Sequence, residues 1–99
     1  MEKTPVQRSV QARGLPEPVG PYSPAVVFDR LVFVSGQGAI DPATGLLAGL
    51  DVESQTGQVF DNLEAILKAA GTDLRHVIRC GVFLVDMRDF AAMNAVYAR

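Results

Sequence analysis

A chain of 99 residues, 48% apolar and 20% charged, with a formal net charge of −2, has the composition of one globular domain and not of a disordered or fibrous chain. Its nine basic residues are scattered from Lys3 to Arg99, so it presents no electrostatic footprint for nucleic acid. Cys80 is the only cysteine, which leaves no intrachain disulfide and points to a reducing, cytoplasmic setting. The first twenty residues contain no signal-peptide core, and no apolar run approaches the roughly 20 residues that cross a bilayer, so no membrane partner is expected.

Residues 1–13 are expected to form a flexible lead-in. Residues 14–24, GLPEPVGPYSP, carry four prolines and two glycines, which suits an irregular, extended segment and neither helix nor central strand. Ala25–Phe28 and Leu31–Val34 are then two β-rich runs around Asp29-Arg30, which reads as a hairpin, although the linker lacks the glycine that tight primed turns favour. Asp41-Pro42-Ala43-Thr44-Gly45 is a turn, with proline presetting φ and glycine free to take a positive one.

From Val52 to Ala70 the residues Val59, Phe60, Leu63, Ile66, Leu67 and Ala70 recur at helical spacing. Asp51 is placed to cap that helix, Glu53 suits its positive end, and Gly71 stops it. Residues 77–85, VIRCGVFLV, are β-branched and aromatic, and the pattern predicts a strand with Ile78, Cys80, Val82 and Leu84 on one buried face. Asp86–Asp89 reads as a turn and cap before a second helix with the stripe Phe90, Met93, Asn94 and Tyr97. That helix runs to Arg99 without a stop signal, which fits either a fraying C-terminal helix or an interrupted chain. The order predicts an α+β fold, a small β-sheet with two helices packed on one face.

Most catalytic chemistries find no residues here. One histidine and one cysteine do not make the usual metal-ligand set. On a strand His76 and Cys80 would stand roughly 13 Å apart, too far for a nucleophile and its base, so Cys80 is expected as a small buried hydrophobe. Neither a phosphate-binding glycine loop nor a GxSxG elbow is present. What remains is the end of the second strand, LVFVSGQ, where Ser35, Gly36 and Gln37 follow four apolar residues. Either Ser35 and Gly36 form a bulge or turn, or the strand ends at the rim of a small-molecule pocket, with Gly36 allowing a ligand onto the backbone. Tyr22, stiffened between Pro21 and Pro24, would be presented beside it. Asn94 reads first as a satisfied core amide that pins a loop, and only second as a ligand contact.

Gly20-Pro21-Tyr22-Ser23-Pro24-Ala25-Val26, LVFVSGQ with Asp41-Pro42-x-Thr44-Gly45, Gln58-Val59-x-Asp61-Asn62-Leu63-x-Ala65-Ile66-Leu67-x-Ala69-Ala70-Gly71, Val85-Asp86-Met87-x-Asp89-Phe90 and Asn94-x-x-Tyr97 together resemble the Rid, or YjgF-like, family of reactive intermediate deaminases. The match runs in register from about residue 14 to the last residue. The resemblance implies a chorismate-mutase-like α+β fold, a homotrimer with clefts between subunits, and hydrolysis of 2-imino acids such as 2-iminobutanoate and 2-iminopropanoate to 2-oxo acids and ammonia without a cofactor. It further implies that Tyr22, Ser35, Gly36, Phe90 and Asn94 contact substrate or shape the cleft, and it assigns no catalytic residue with certainty.

Family members continue into further strands that carry an arginine for the substrate carboxylate and a glutamate for the attacking water. The resemblance therefore implies a single Rid-like domain over residues 1–99 that lacks the C-terminal strands, with weak or no activity in the chain as it stands. Two other functions stay open: a non-catalytic binder of small carboxylates or of a partner protein, and RNA cleavage with translation inhibition. Against the second stand the scattered basic residues and the lack of a His or Lys pair for acid–base work.

Overall fold

The computed structural model describes residues 8–10 and 23–98. Tyr22 and the proline-rich stretch before it, for which an irregular lead-in was expected, lie outside these residues. Three strands form one antiparallel sheet in the order β1 (Arg8–Val10), β2 (Ala25–Phe28) and β3 (Leu31–Val34). The predicted hairpin is β2–β3, with Phe28 opposite Leu31 and Ala25 opposite Val34. Asp29 meets the demands of the short turn by adopting a positive φ of 55°, a conformation that Asp tolerates better than most residues. β1 falls within the segment for which composition suggested no element, and it pairs with β2 through Ser9 and Val26.

The pleat divides the sheet cleanly. Val10, Ala25, Val27, Val32 and Val34 pack inward, around the fully buried Ile66 of helix α1 (Val52–Ala69). Burying one such side chain contributes about 1.5–3 kcal/mol. On the other face Phe28, Leu31 and Phe33 are exposed.

Helix α1 starts and stops where its end signals place it. The Asp51 carboxylate accepts from the Ser54 N–H at 2.8 Å and from the Ser54 hydroxyl at 2.8 Å, satisfying a donor that the first turn would leave orphaned. At the other end Gly71 takes a φ of 90°. There the N–H groups of Gly71 and Thr72 donate to the carbonyls of Lys68 (3.0 Å) and Leu67 (2.9 Å), the paired bonds of a Schellman motif. Helix α2 (Phe90–Tyr97) packs against α1, with the rings of Phe60 and Tyr97 edge to face at 5.3 Å. The fold is thus α+β, a three-stranded antiparallel sheet with two helices. No helix among the described residues is long and apolar enough to cross a membrane.

One predicted element is corrected. Residues 77–84 form no strand; the expected buried face is exposed at Ile78 and Val82, and Phe83 is 98% exposed. β-branched and aromatic residues favour an extended backbone, but a strand exists only when a neighbour completes its ladder. Among the described residues no strand pairs with this segment. Cys80, expected as a buried hydrophobe, is exposed for the same reason.

Candidate functional site

The exit of β3 is built by the hairpin register. With Ala25 opposite Val34, Pro24 faces Ser35. The Pro24 carbonyl accepts twice from Ser35, from its N–H at 3.0 Å and from its hydroxyl at 3.0 Å. Proline has no N–H to return, so the ladder stops here and the hydroxyl acts as a clasp. Gln37 reinforces it, its amide nitrogen donating to the Ser35 carbonyl at 3.2 Å and to the Ser35 hydroxyl oxygen at 3.3 Å. Ser35 therefore spends its hydroxyl on the protein, and Gly36 is the residue that opens outward. It is exposed, and no heavy atom of the described residues lies within 4 Å of where a Cβ would stand. Among the described residues no group accepts from the N–H of Gly36, Gln37 or Gly38.

Beyond Gly38 the chain is pinned again. Ala39 is buried, Ile40 bridges to Leu47, and the Ala39 carbonyl accepts from the Ala48 N–H at 2.9 Å. The turn expected at Asp41–Gly45 closes this loop. The Asp41 carbonyl accepts from the Gly45 N–H at 2.8 Å, its carboxylate accepts from the Ala43 N–H at 2.9 Å, and Gly45 has a φ of 74°.

The residue that holds the loop to the helix is Asn62 of the motif at residues 58–71, a position for which the sequence alone suggested no role. It is 2% exposed; its amide nitrogen donates to the carbonyls of Ile40 (2.8 Å) and Gly38 (3.4 Å), and its oxygen accepts from the Gln58 amide at 2.8 Å. The signal that would have found it is periodicity. Asn62 lies three residues after Val59 and four before Ile66, inside the apolar stripe, and a polar residue on a buried stripe needs partners.

Phe90 and Asn94 lie one turn apart on α2. Phe90 is half exposed and Asn94 is exposed, so the expectation of Asn94 as a core amide is corrected. The buried residue of that helix is its neighbour Met93, and the shallow contact with α1 leaves the amide outside. No hydrogen bond among the described residues joins these two to Ser35 or Gly36. The helix is introduced by Asp86, whose carboxylate accepts from the Arg88 backbone N–H at 2.9 Å and from its guanidinium. The guanidinium bonds and then the backbone N–H hold the Asp86 carboxyl below its ordinary pKa.

His76 closes a short 3-10 turn and does not begin a strand. Its Nδ1 lies 3.0 Å from Asp73, which also takes the Arg75 guanidinium at 2.8 Å. The Asp73 carboxyl is held well below the carboxylate range, first by Arg75 and then by His76. This cluster sits on the surface between α1 and the unpaired segment. Among the described residues no group of three or more His, Cys, Asp or Glu is placed to hold a metal ion.

The family model described as endoribonuclease L-PSP matches residues 12–99. Over 83 residues the chain is 51% identical to a RutC family protein of Pyrococcus horikoshii, covering 84% of this chain and 66% of that protein. It is 42% identical over 92 residues to a 2-iminobutanoate/2-iminopropanoate deaminase of Capra hircus, covering 93% of this chain and 67% of that one. The chain thus spans about two thirds of these relatives' length. The crystal structure of E. coli TdcF with bound serine superposes with a TM-score of 0.87 at 35% identity, over 92% of this chain and 71% of TdcF. With the matched residues running from the lead-in through both helices, the chain belongs to the endoribonuclease L-PSP family, the Rid or YjgF-like proteins.

Proposed function

We propose that this protein hydrolyses 2-imino acids, of which 2-iminobutanoate and 2-iminopropanoate are the type, to 2-oxo acids and ammonia. The observation that carries the reading is the open backbone at Gly36, exposed between two hydrogen-bonded anchors, in a chain 42% identical to a deaminase with that substrate name. Backbone N–H groups beside a glycine suit a carboxylate or a developing oxyanion, because they are fixed and need no reorganisation. In the reaction water adds to the imine carbon, the tetrahedral carbinolamine collapses, and the C–N bond breaks as a proton passes to nitrogen. The change is redox-neutral, so it calls for no electron carrier and no cofactor.

In this reading Tyr22, Ser35 and Gly36 line one side of the substrate cleft, and Phe90 and Asn94 shape the other. Ser35 acts by holding the rim in shape. Such clefts would form between the subunits of a homotrimer, for which the exposed outer face of the sheet, Phe28, Leu31 and Phe33, supplies apolar surface. Light scattering on a sizing column tests the assembly, and a mass of three chains is the expected result.

Activity is tested by ammonia release when a pyridoxal-phosphate dehydratase supplies the imine. Saturable acceleration over the uncatalysed hydrolysis supports the reading. Binding of 2-oxobutanoate without ammonia release would replace it with that of a small-carboxylate binder. Salt-sensitive RNA affinity would favour the nuclease reading, for which a chain of net charge −2 is poorly equipped.

A further inference from the structure

We infer that Asn62, on the buried side of α1, is a positioning residue for the Gly36 rim, locked in turn by Gln58. The backbone between Ser35 and Ile40 has two anchors. The first is the pair of bonds from Ser35 to the Pro24 carbonyl. The second is the Asn62 amide, whose nitrogen donates to Ile40 at 2.8 Å and to Gly38 at 3.4 Å. Only Gly36 and Gln37 lie between them, so the two anchors set the direction of the Gly36 backbone.

The chemistry of the second anchor suits a primary amide. Two carbonyl oxygens converge on a single point and each needs a donor; an amide NH₂ supplies two hydrogens in one plane. A flipped Asn62 would turn its oxygen on both carbonyls, and Gln58 opposes that flip by donating to the Asn62 oxygen at 2.8 Å. Asn62 is 2% exposed, so its own amide has no access to water and depends on these bonds, whose loss would leave a buried polar group unpaired. Asn62 reaches the rim only through the loop backbone, which is why it positions the site and is not itself a contact.

As a statement about catalysis the inference rests on the deaminase reading, so its test uses a readout that does not. Amide shifts at residues 36–40, and hydrogen exchange at Asp41 and Ala48, whose N–H groups donate to Leu46 and Ala39 beside the pinned carbonyls, are compared by NMR in the ligand-free 99-residue chain and in its Asn62→Ala, Asn62→Asp and Gln58→Ala variants. In the folded Asn62 variants the amides of residues 36–40 should shift and those of Asp41 and Ala48 should exchange about tenfold faster, the factor set by one lost hydrogen bond, while the β2–β3 ladder and the centre of α1 hold their wild-type values. Asn62→Asp should regain part of the wild-type pattern as its carboxyl is protonated and can donate again, a pH profile that Asn62→Ala lacks. Affinity for 2-oxobutanoate should fall in step. Wild-type shifts at residues 36–40 together with wild-type exchange at Asp41 and Ala48 in a folded Asn62 variant overturn the inference. Should the Asn62 variants not fold, Gln58→Ala decides it, with a smaller change at the same amides expected and no change overturning it. Absence of ammonia release from the wild type defeats the deaminase reading for the 99-residue chain and leaves the amide readout standing.

Discussion

Replacing Gly36 by alanine separates binding from stability. The residue is exposed, its φ lies outside the left-handed region, and a Cβ would enter open space. The methyl group therefore meets nothing in the free protein, and the loss of glycine's freedom in the unfolded chain should stabilise the fold by about 0.4–1 kcal/mol. A substrate carboxylate seated on the backbone at this point would meet the methyl group and lose its closest approach. One hydrogen bond to a charged group contributes about 1.5–3 kcal/mol, so affinity should drop by about 10- to 150-fold. The assay pairs a thermal melt with calorimetric titration of 2-oxobutanoate into wild type and variant. An unchanged affinity in a variant that melts at or above the wild-type temperature would refute the placement of the ligand at Gly36, because the methyl group would then occupy space that no ligand uses.

Three further substitutions test the frame around the site. Ile66→Ala empties the centre of the core, where the side chain is 0% exposed; it should cost about 2–5 kcal/mol in urea denaturation, and a loss below 1 kcal/mol would mean that α1 does not pack on the sheet as described. Phe83→Ser changes a side chain that is 98% exposed, so stability should stay within about 0.5 kcal/mol; a large loss on the same assay would show that residues 77–84 are packed in solution. Asp73→Asn tests the surface cluster by pH. Because Arg75 and then His76 depress the folded pKa of Asp73, its stabilisation is complete above the ordinary carboxylate range and is lost as pH falls through and below about 4. The wild-type melting temperature should therefore decline more than the variant's over that range, and parallel declines would remove the pair's contribution.

What the sequence revealed depended on how far its determinants lie from one another along the chain. The hairpin, the Asp41–Gly45 turn and α1 with its Asp51 cap and Gly71 stop are each specified by residues within a few positions, and each forms where the pattern places it. Residues 77–84 carry as strong a β signal as β2 or β3 and form no strand, because a ladder needs a partner that local propensity does not supply. The buried amide is Asn62 and not Asn94 for a related reason. Both interrupt an apolar helical stripe, but α1 packs against a sheet and a loop that bury its amide, whereas α2 meets only part of α1 and leaves its own outside. Which polar residue on a stripe becomes buried is decided by the depth of the packing, which periodicity does not report.

The ending of β3 shows how a local rule reaches the site. A two-residue turn at Asp29-Arg30 fixes the pairing of every residue on β2 and β3, so Ser35 must fall opposite Pro24, eleven residues earlier. The proline accepts but cannot donate, which ends the ladder at that pair. A serine there can use its hydroxyl for a second bond to the same carbonyl and so hold the strand end closed, and a glycine next in line is the first residue whose backbone is free of the sheet. Apolar strand, hydroxyl, bare backbone and amide are thus four consecutive solutions to one constraint. One face of the strand packs inward, its last pair is clasped, the next peptide is exposed, and Gln37 braces it from behind. Moving the proline to position 23 would extend the ladder past Ser35 and draw Gly36 into the sheet, which makes Pro24 as much a determinant of the site as any residue that touches a ligand.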